Sequence, residues 1–73
     1  MRNGVVYDRS WMEQRRNKME MTQSAVALGA KTSVSNYNRV EKGFYGPDVK
    51  TALRICDVLR IDPRMFLNEK PLR

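Results

Sequence analysis

The chain contains no histidine and only one cysteine, Cys56, among its 73 residues. A lone thiol cannot close an internal disulfide, and without histidine no Cys/His cluster of the zinc-binding kind can form. The missing histidine also removes the side chain that most often acts as general base near neutral pH. Cys56 lies in an apolar helical pattern, where a free thiol is ordinarily a small core residue, and no imidazole exists to activate it as a nucleophile. No apolar run approaches the roughly 20 residues needed to cross a bilayer. The apolar stretch nearest the N-terminus, Val5-Val6-Tyr7, is too short for a secretory signal. Internal repeats, low-complexity tracts and paired-carboxylate motifs are likewise missing. These absences point away from an enzyme, a cofactor or metal protein and a membrane protein. They favour a cytoplasmic chain, which suits its single thiol.

Acidic residues are also scarce. Eight Asp+Glu face 14 Lys+Arg, for a net charge of +6. That balance favours a polyanionic partner, of which nucleic acid is the commonest, over a merely solvated basic surface. The length allows one domain with a modest core, for which self-association would be a useful support.

Helical signals dominate what remains. Residues 1–9 form an N-terminal arm, with a turn signal at Asn3-Gly4 and then Val5-Val6-Tyr7, either flexible or a short strand. Ser10-Trp11-Met12-Glu13 fits a capping box opening the first helix. Met12, Arg16 and Met19 follow at helical spacing with Trp11 beside them, and Arg16 on that stripe requires a partner. Thr22 is the next N-cap candidate, followed by the narrow apolar face Val26, Ala27 and Ala30. Gly29 to Thr32 mark a turn, and Ser33 caps a third helix running to about Lys42. In it Tyr37 and Val40 face inward, leaving Val34, Ser35, Asn36, Asn38 and Arg39 around the remaining surface. Gly43 suits a helix end, and Phe44 to Pro47 form a loop. A broad stripe of Val49, Ala52, Leu53, Ile55, Cys56, Val58 and Leu59 predicts a central fourth helix. Asp62-Pro63 then opens a short fifth helix carrying Met65, Phe66 and Leu67. The expected organisation is an all-α, compact five-helix domain over residues 10–67, with a tail at 68–73.

The order and spacing from Met12 to about Leu67 resemble the Xre/Cro-type helix-turn-helix regulators, a group that includes phage repressors and restriction–modification controller proteins. MEQRRNKMEMTQ is similar to the family's first helix and the "L-[ST]-Q" that opens its second. Val26-Ala27 stands at its "L-A", and Tyr37-Asn38-Arg39-Val40-Glu41-Lys42-Gly43 at its "I-S-R-I-E-x-G". Pro47, Leu59, Asp62 and Phe66 fall at further family positions. The fold implied is phage-repressor-like, with the third helix as the recognition helix. Two departures stand out. Lys31 occupies the turn position that is usually glycine, so it must adopt a left-handed backbone or the turn is reshaped. Tyr37 is larger than the usual isoleucine.

The resemblance implies that the recognition helix enters the major groove of double-stranded DNA and reads bases through Val34, Ser35, Asn38 and Arg39. The chemistry agrees. Arg39 can donate twice to guanine, Asn38 can pair with adenine, Val34 can touch a thymine methyl, and Ser35 can bond either kind of edge. An ordinary exposed helix shows Glu and Lys there instead. Gln23 stands where the family contacts phosphate; Lys31, Asn36 at the rim, Lys42 and the Tyr45 hydroxyl are further phosphate candidates. Phe44 and Tyr45 would otherwise cover the core or a partner. The resemblance also implies a partly buried Arg16–Glu41 ion pair that orients the recognition helix. Family members usually act as dimers on palindromes, and Ile61, Met65 and Leu67 are the expected interface, since Met65 and Leu67 exceed what a small core needs. The arm could add Val5-Val6-Tyr7 to that interface or Arg2 and Arg9 to the DNA backbone. The function implied is a sequence-specific transcriptional regulator, a dimeric repressor of its own or another promoter, with no small-molecule ligand. The alternative is an antitoxin-like protein-binding module of the same fold.

Overall fold

A computed structural model describes residues 6–44, 46–69 and 71. The expectations attached to Arg2, Val5 and Tyr45 lie outside the described residues. In chain order the protein forms α1 (Ser10–Lys18), α2 (Gln23–Gly29), α3 (Val34–Glu41) and α4 (Val49–Leu59), followed by a 3-10 turn at Pro63–Phe66. Among the described residues the expected five α-helices are thus four, with a single tight turn in place of the fifth. The reason is local. Pro63 contributes no N–H, Met65 N–H returns to the Asp62 carbonyl, and the Asp62 carboxylate accepts from Arg64 N–H. These short-range bonds close the segment before an α-helical ladder can start.

Three helices begin as side-chain chemistry dictates. Thr22, Ser33 and Asp48 have extended backbones and accept from the N–H three residues on, at 3.1, 3.0 and 3.1 Å. Ser10 does not follow. It is the first residue of α1, Arg9 is the N-cap but its side chain does not cap the helix, and the Asp8 carboxylate accepts from Ser10 N–H. The expected capping box with Glu13 therefore fails, because the helix opens one residue early over an arginine drawn into the interior.

α1, α2 and α3 close with the same paired bonds of the Schellman type, and α4 returns both Arg60 N–H and Ile61 N–H to the Cys56 carbonyl. At the end of α2, Lys31 N–H bonds the Leu28 carbonyl at 3.1 Å and Thr32 N–H bonds the Ala27 carbonyl at 3.0 Å. Such an ending needs one left-handed residue. Only α3 supplies glycine, Gly43 at φ 87°, whereas Glu20, Lys31 and Arg60 take φ 57°, 58° and 57°. Lys31 thus adopts the left-handed backbone. Gly29 does not turn the chain. It is the last residue of α2, and a Cβ there would lie 2.9 Å from a methyl of Val58.

The core consists of Met12, Val26, Ala27, Ala30, Tyr37, Val40, Ile55 and Leu59, with Trp11, Met19, Met21, Val58, Ile61 and Phe66 packed around it. Trp11 and Phe66 meet edge to face, with centroids 5.2 Å apart. The apolar stripe of α4 is narrower than its sequence suggests: Ile55, Cys56 and Leu59 are buried, but Val49 and Leu53 face out. They line an open groove with Ala52, Phe66 and Leu67. Among the described residues no helix is long and apolar enough to cross a membrane.

Residues expected in the arm and tail meet across the body. Tyr7 N–H bonds the Gly43 carbonyl at 3.1 Å, and Tyr7 bridges to Pro71. Arg9 is buried, ion-pairs with Glu69, and donates to the Val40 carbonyl at 2.8 Å. Arg9 is therefore part of the interior and unavailable as a DNA-backbone contact from a loose arm.

Candidate nucleic-acid interface

The α2–turn–α3 unit is built from the inside by small residues and one large one. Val26, Ala27 and Ala30 leave a close-approach surface on α2, and Tyr37 and Val40 of α3 fill it. The ring of Tyr37 is wholly buried, and its hydroxyl donates to Glu41 Oε2 at 2.9 Å. A tyrosine at an apolar position is satisfied here because its partner is one helical turn away on the same face.

Glu41 is the junction of this unit. Arg16 Nε donates to its Oε2 at 2.7 Å and Arg16 Nη2 to its Oε1 at 3.2 Å. Gln23 Nε2 donates to Oε1 at 2.8 Å. Arg16 also donates to the Met21 carbonyl at 3.0 Å, which ties α1 to the segment entering α2. Burial pushes the Glu41 carboxyl up, but the bonds from Arg16, Gln23 and Tyr37 outweigh it and hold the carboxyl below the usual carboxylate range. Burial, and then the Glu41 charge, push the Tyr37 hydroxyl up. The site therefore holds a carboxylate and a neutral phenol at neutral pH.

The outward face of α3 carries Val34, Ser35 and Arg39, all exposed. Asn38 lies among them but is half-buried, because its Nδ2 donates to Gln23 Oε1 at 3.1 Å. Asn36 sits at the rim and donates to Thr32 Oγ1 at 2.7 Å. Lys31 and Lys42 are exposed at the two ends of the unit. Gln23 turns inward, between Glu41 and Asn38.

Val34, Ser35, Asn36, Asn38, Arg39, Lys31 and Lys42 thus lie on one unit, Arg16 reaches it from α1, and Gln23 belongs to it but turns inward, while Ile61, Met65 and Leu67 lie away from it, around the 3-10 turn. Ile61 packs on the core; Met65 and Leu67 are exposed. Phe44 is exposed too, so it does not cover the core. The Tyr37–Glu41 bond was readable from the spacing of four, and no comparable signal existed for Gln23 or Arg9. Among the described residues no three metal-ligating side chains converge. Cys56 is buried, and burial and then Asp62 push its thiol up to about 11.

The sequence profile of the helix-turn-helix family matches residues 12–66. This chain belongs to the Xre/Cro-type helix-turn-helix family. Two solved structures share the fold. The restriction-modification controller protein C.AhdI from Aeromonas hydrophila superposes with a TM-score of 0.71 at 21% identity, covering 80% of this chain and 88% of that one. The N-terminal DNA binding domain of SinR from Bacillus subtilis superposes with a TM-score of 0.73, also at 21% identity, covering 85% and 91%. No curated protein sequence matches this chain. By the family pattern α2 and α3 form the helix-turn-helix motif, with α1 and α4 packed against it.

Proposed function

We propose that this helix-turn-helix protein is a sequence-specific DNA-binding transcriptional regulator, a dimeric repressor that occupies a palindromic operator. The observation that carries this reading is the outward face of α3, where short polar and apolar side chains stand over a rigid, hydrogen-bonded base. Val34, Ser35, Asn38 and Arg39 read base edges in the major groove. Lys31 and Lys42, flanking the recognition helix, contact phosphates, with Asn36 at the rim and Gln23 using the amide hydrogen that Glu41 does not take. The net charge of +6 supplies the non-specific attraction. The two structural neighbours, one a controller protein and one a DNA-binding domain, support the same reading.

Dimerisation through Met65 and Leu67, with Ile61 behind them, would set two recognition helices about 34 Å apart. The exposed groove of Val49, Leu53 and Leu67 favours a protein contact at this end, whether a second copy or, in the alternative reading, the partner of an antitoxin-like module. The protein acts in the cytoplasm on this reading.

Selection of bound DNA from a random pool tests the proposal. A palindrome with half-sites one helical turn apart is expected. Arg39→Ala should weaken the selected site far more than random DNA. A pool that yields no enriched sequence would move the function to the protein-binding alternative.

A further inference from the structure

Glu41, Gln23 and Asn38 form a line of hydrogen bonds running from the interior to the outward face of α3. Its direction is not arbitrary. An ionised carboxylate only accepts, so the Gln23 amide must turn its NH₂ toward Glu41. Its carbonyl oxygen then faces Asn38 and also only accepts, so Asn38 must turn its NH₂ inward. The remaining end of the Asn38 amide, Oδ1, accepts no bond from the described residues. A free asparagine can flip its amide and present either end. Here a flip would set Asn38 Oδ1 against Gln23 Oε1, acceptor against acceptor. The ionised state of Glu41 at neutral pH follows from its position beside Arg16.

We propose that Glu41 and Gln23 are positioning residues that fix the direction of the Asn38 amide and make Asn38 an acceptor-presenting reader. This rests on the DNA reading proposed above and adds a chemical preference to it. In the major groove adenine offers an N6–H donor and an N7 acceptor, cytosine offers an N4–H donor, and guanine and thymine offer acceptors alone. Oδ1 therefore selects adenine or cytosine on the strand it faces. Adenine ranks first, because N7 can take the second hydrogen of Asn38 Nδ2.

The test is a set of random-pool selections with the natural protein, Asn38→Ala, Gln23→Leu and Glu41→Gln. Asn38→Ala locates the base pair by losing preference there. At that pair the natural protein should favour adenine or cytosine over guanine or thymine by about tenfold. Gln23→Leu keeps both Arg16–Glu41 bonds, and Glu41→Gln keeps an oxygen for Arg16 while making the direction ambiguous. Both should shrink the preference at that pair to within about threefold, leaving the Arg39 pair within about twofold of its original preference. In DNA-free protein the Asn38 side-chain amide should exchange with solvent more slowly than that of exposed Asn17, and lose this protection in Gln23→Leu. A guanine or thymine preference at the Asn38 pair overturns the proposal. So does a uniform loss across all positions in both variants, or an Asn38 amide as fast as Asn17. No enriched site for the natural protein, with the Asn38 amide still protected, overturns the DNA reading instead.

Discussion

Among the described residues two arginine–glutamate pairs hold this small fold, and they are built in opposite ways. In the pair at the helix-turn-helix motif the anion is the hub: Glu41 receives four hydrogen bonds, from Arg16, Gln23 and Tyr37. In the pair on the other side the cation is the hub. Arg9 pairs with Glu69, donates to the Val40 carbonyl, and lies 5.6 Å from the Tyr7 ring centroid and 5.3 Å from that of Phe66. A buried carboxylate can only accept, so every neighbour must point a hydrogen at it, and their orientations become ordered. A guanidinium among rings and a carbonyl imposes less direction on its neighbours. The first cluster can thus pass orientation outward to the exposed face of α3, while the second fastens the segments around Arg9 and Glu69 to each other and to the α3 backbone at Val40.

The largest expected effect that separates them is Glu41→Ala. It strips four bonds and strands Arg16, so denaturant unfolding should show a loss of about 3–5 kcal/mol. An unchanged melting temperature would remove the cluster from any role in folding. Arg9→Ala leaves the Glu69 carboxylate without its ion-pair partner and should cost about 2–3 kcal/mol. DNA selection with that variant should return the natural base preferences. An altered preference would erase the distinction between the clusters.

Acid should expose the difference more gently. The Glu41 carboxyl is held below the range of an unfolded glutamate, so in mild acid the folded chain binds fewer protons than the unfolded one. Its contribution is whole above that range and is lost as pH falls below about 4.5 toward the folded value. Melting temperature measured against pH should fall there, with a shallower slope in Glu41→Gln. An equal slope in both would place the acid sensitivity elsewhere. The smallest effect is at the turn: Lys31→Gly should relieve the left-handed backbone and raise stability by about 0.5–1 kcal/mol. A loss would mean that the lysine side chain contributes more than its backbone costs.

Much of the front half was legible in the sequence because its determinants are local. Thr22 and Ser33 announce their helices through side chains that reach three residues, and Val26, Ala27, Tyr37 and Val40 lie at helical spacing. The family pattern placed Arg16 opposite Glu41. What escaped depends on distant chain. Arg9 looked like an arm residue because its partner stands 60 positions away. Val49 and Leu53 looked like core because spacing identifies a stripe but not how much of it a four-helix body can cover. The 3-10 turn was read as a helix because an Asp-Pro start signals a beginning without fixing whether enough chain follows to sustain it. Gln23 was read outward from the family pattern, and its inward bond to Glu41 has no signature in spacing.

Gly43 closes α3, and a Cβ there would collide with the Tyr7 carbonyl oxygen. No side chain fits, and every single-base change in the first two letters of a glycine codon installs one or stops the chain. A screen for loss of function should therefore recover Gly43 alleles as readily as alleles of the residues proposed to read bases, although glycine offers DNA no side chain to lose.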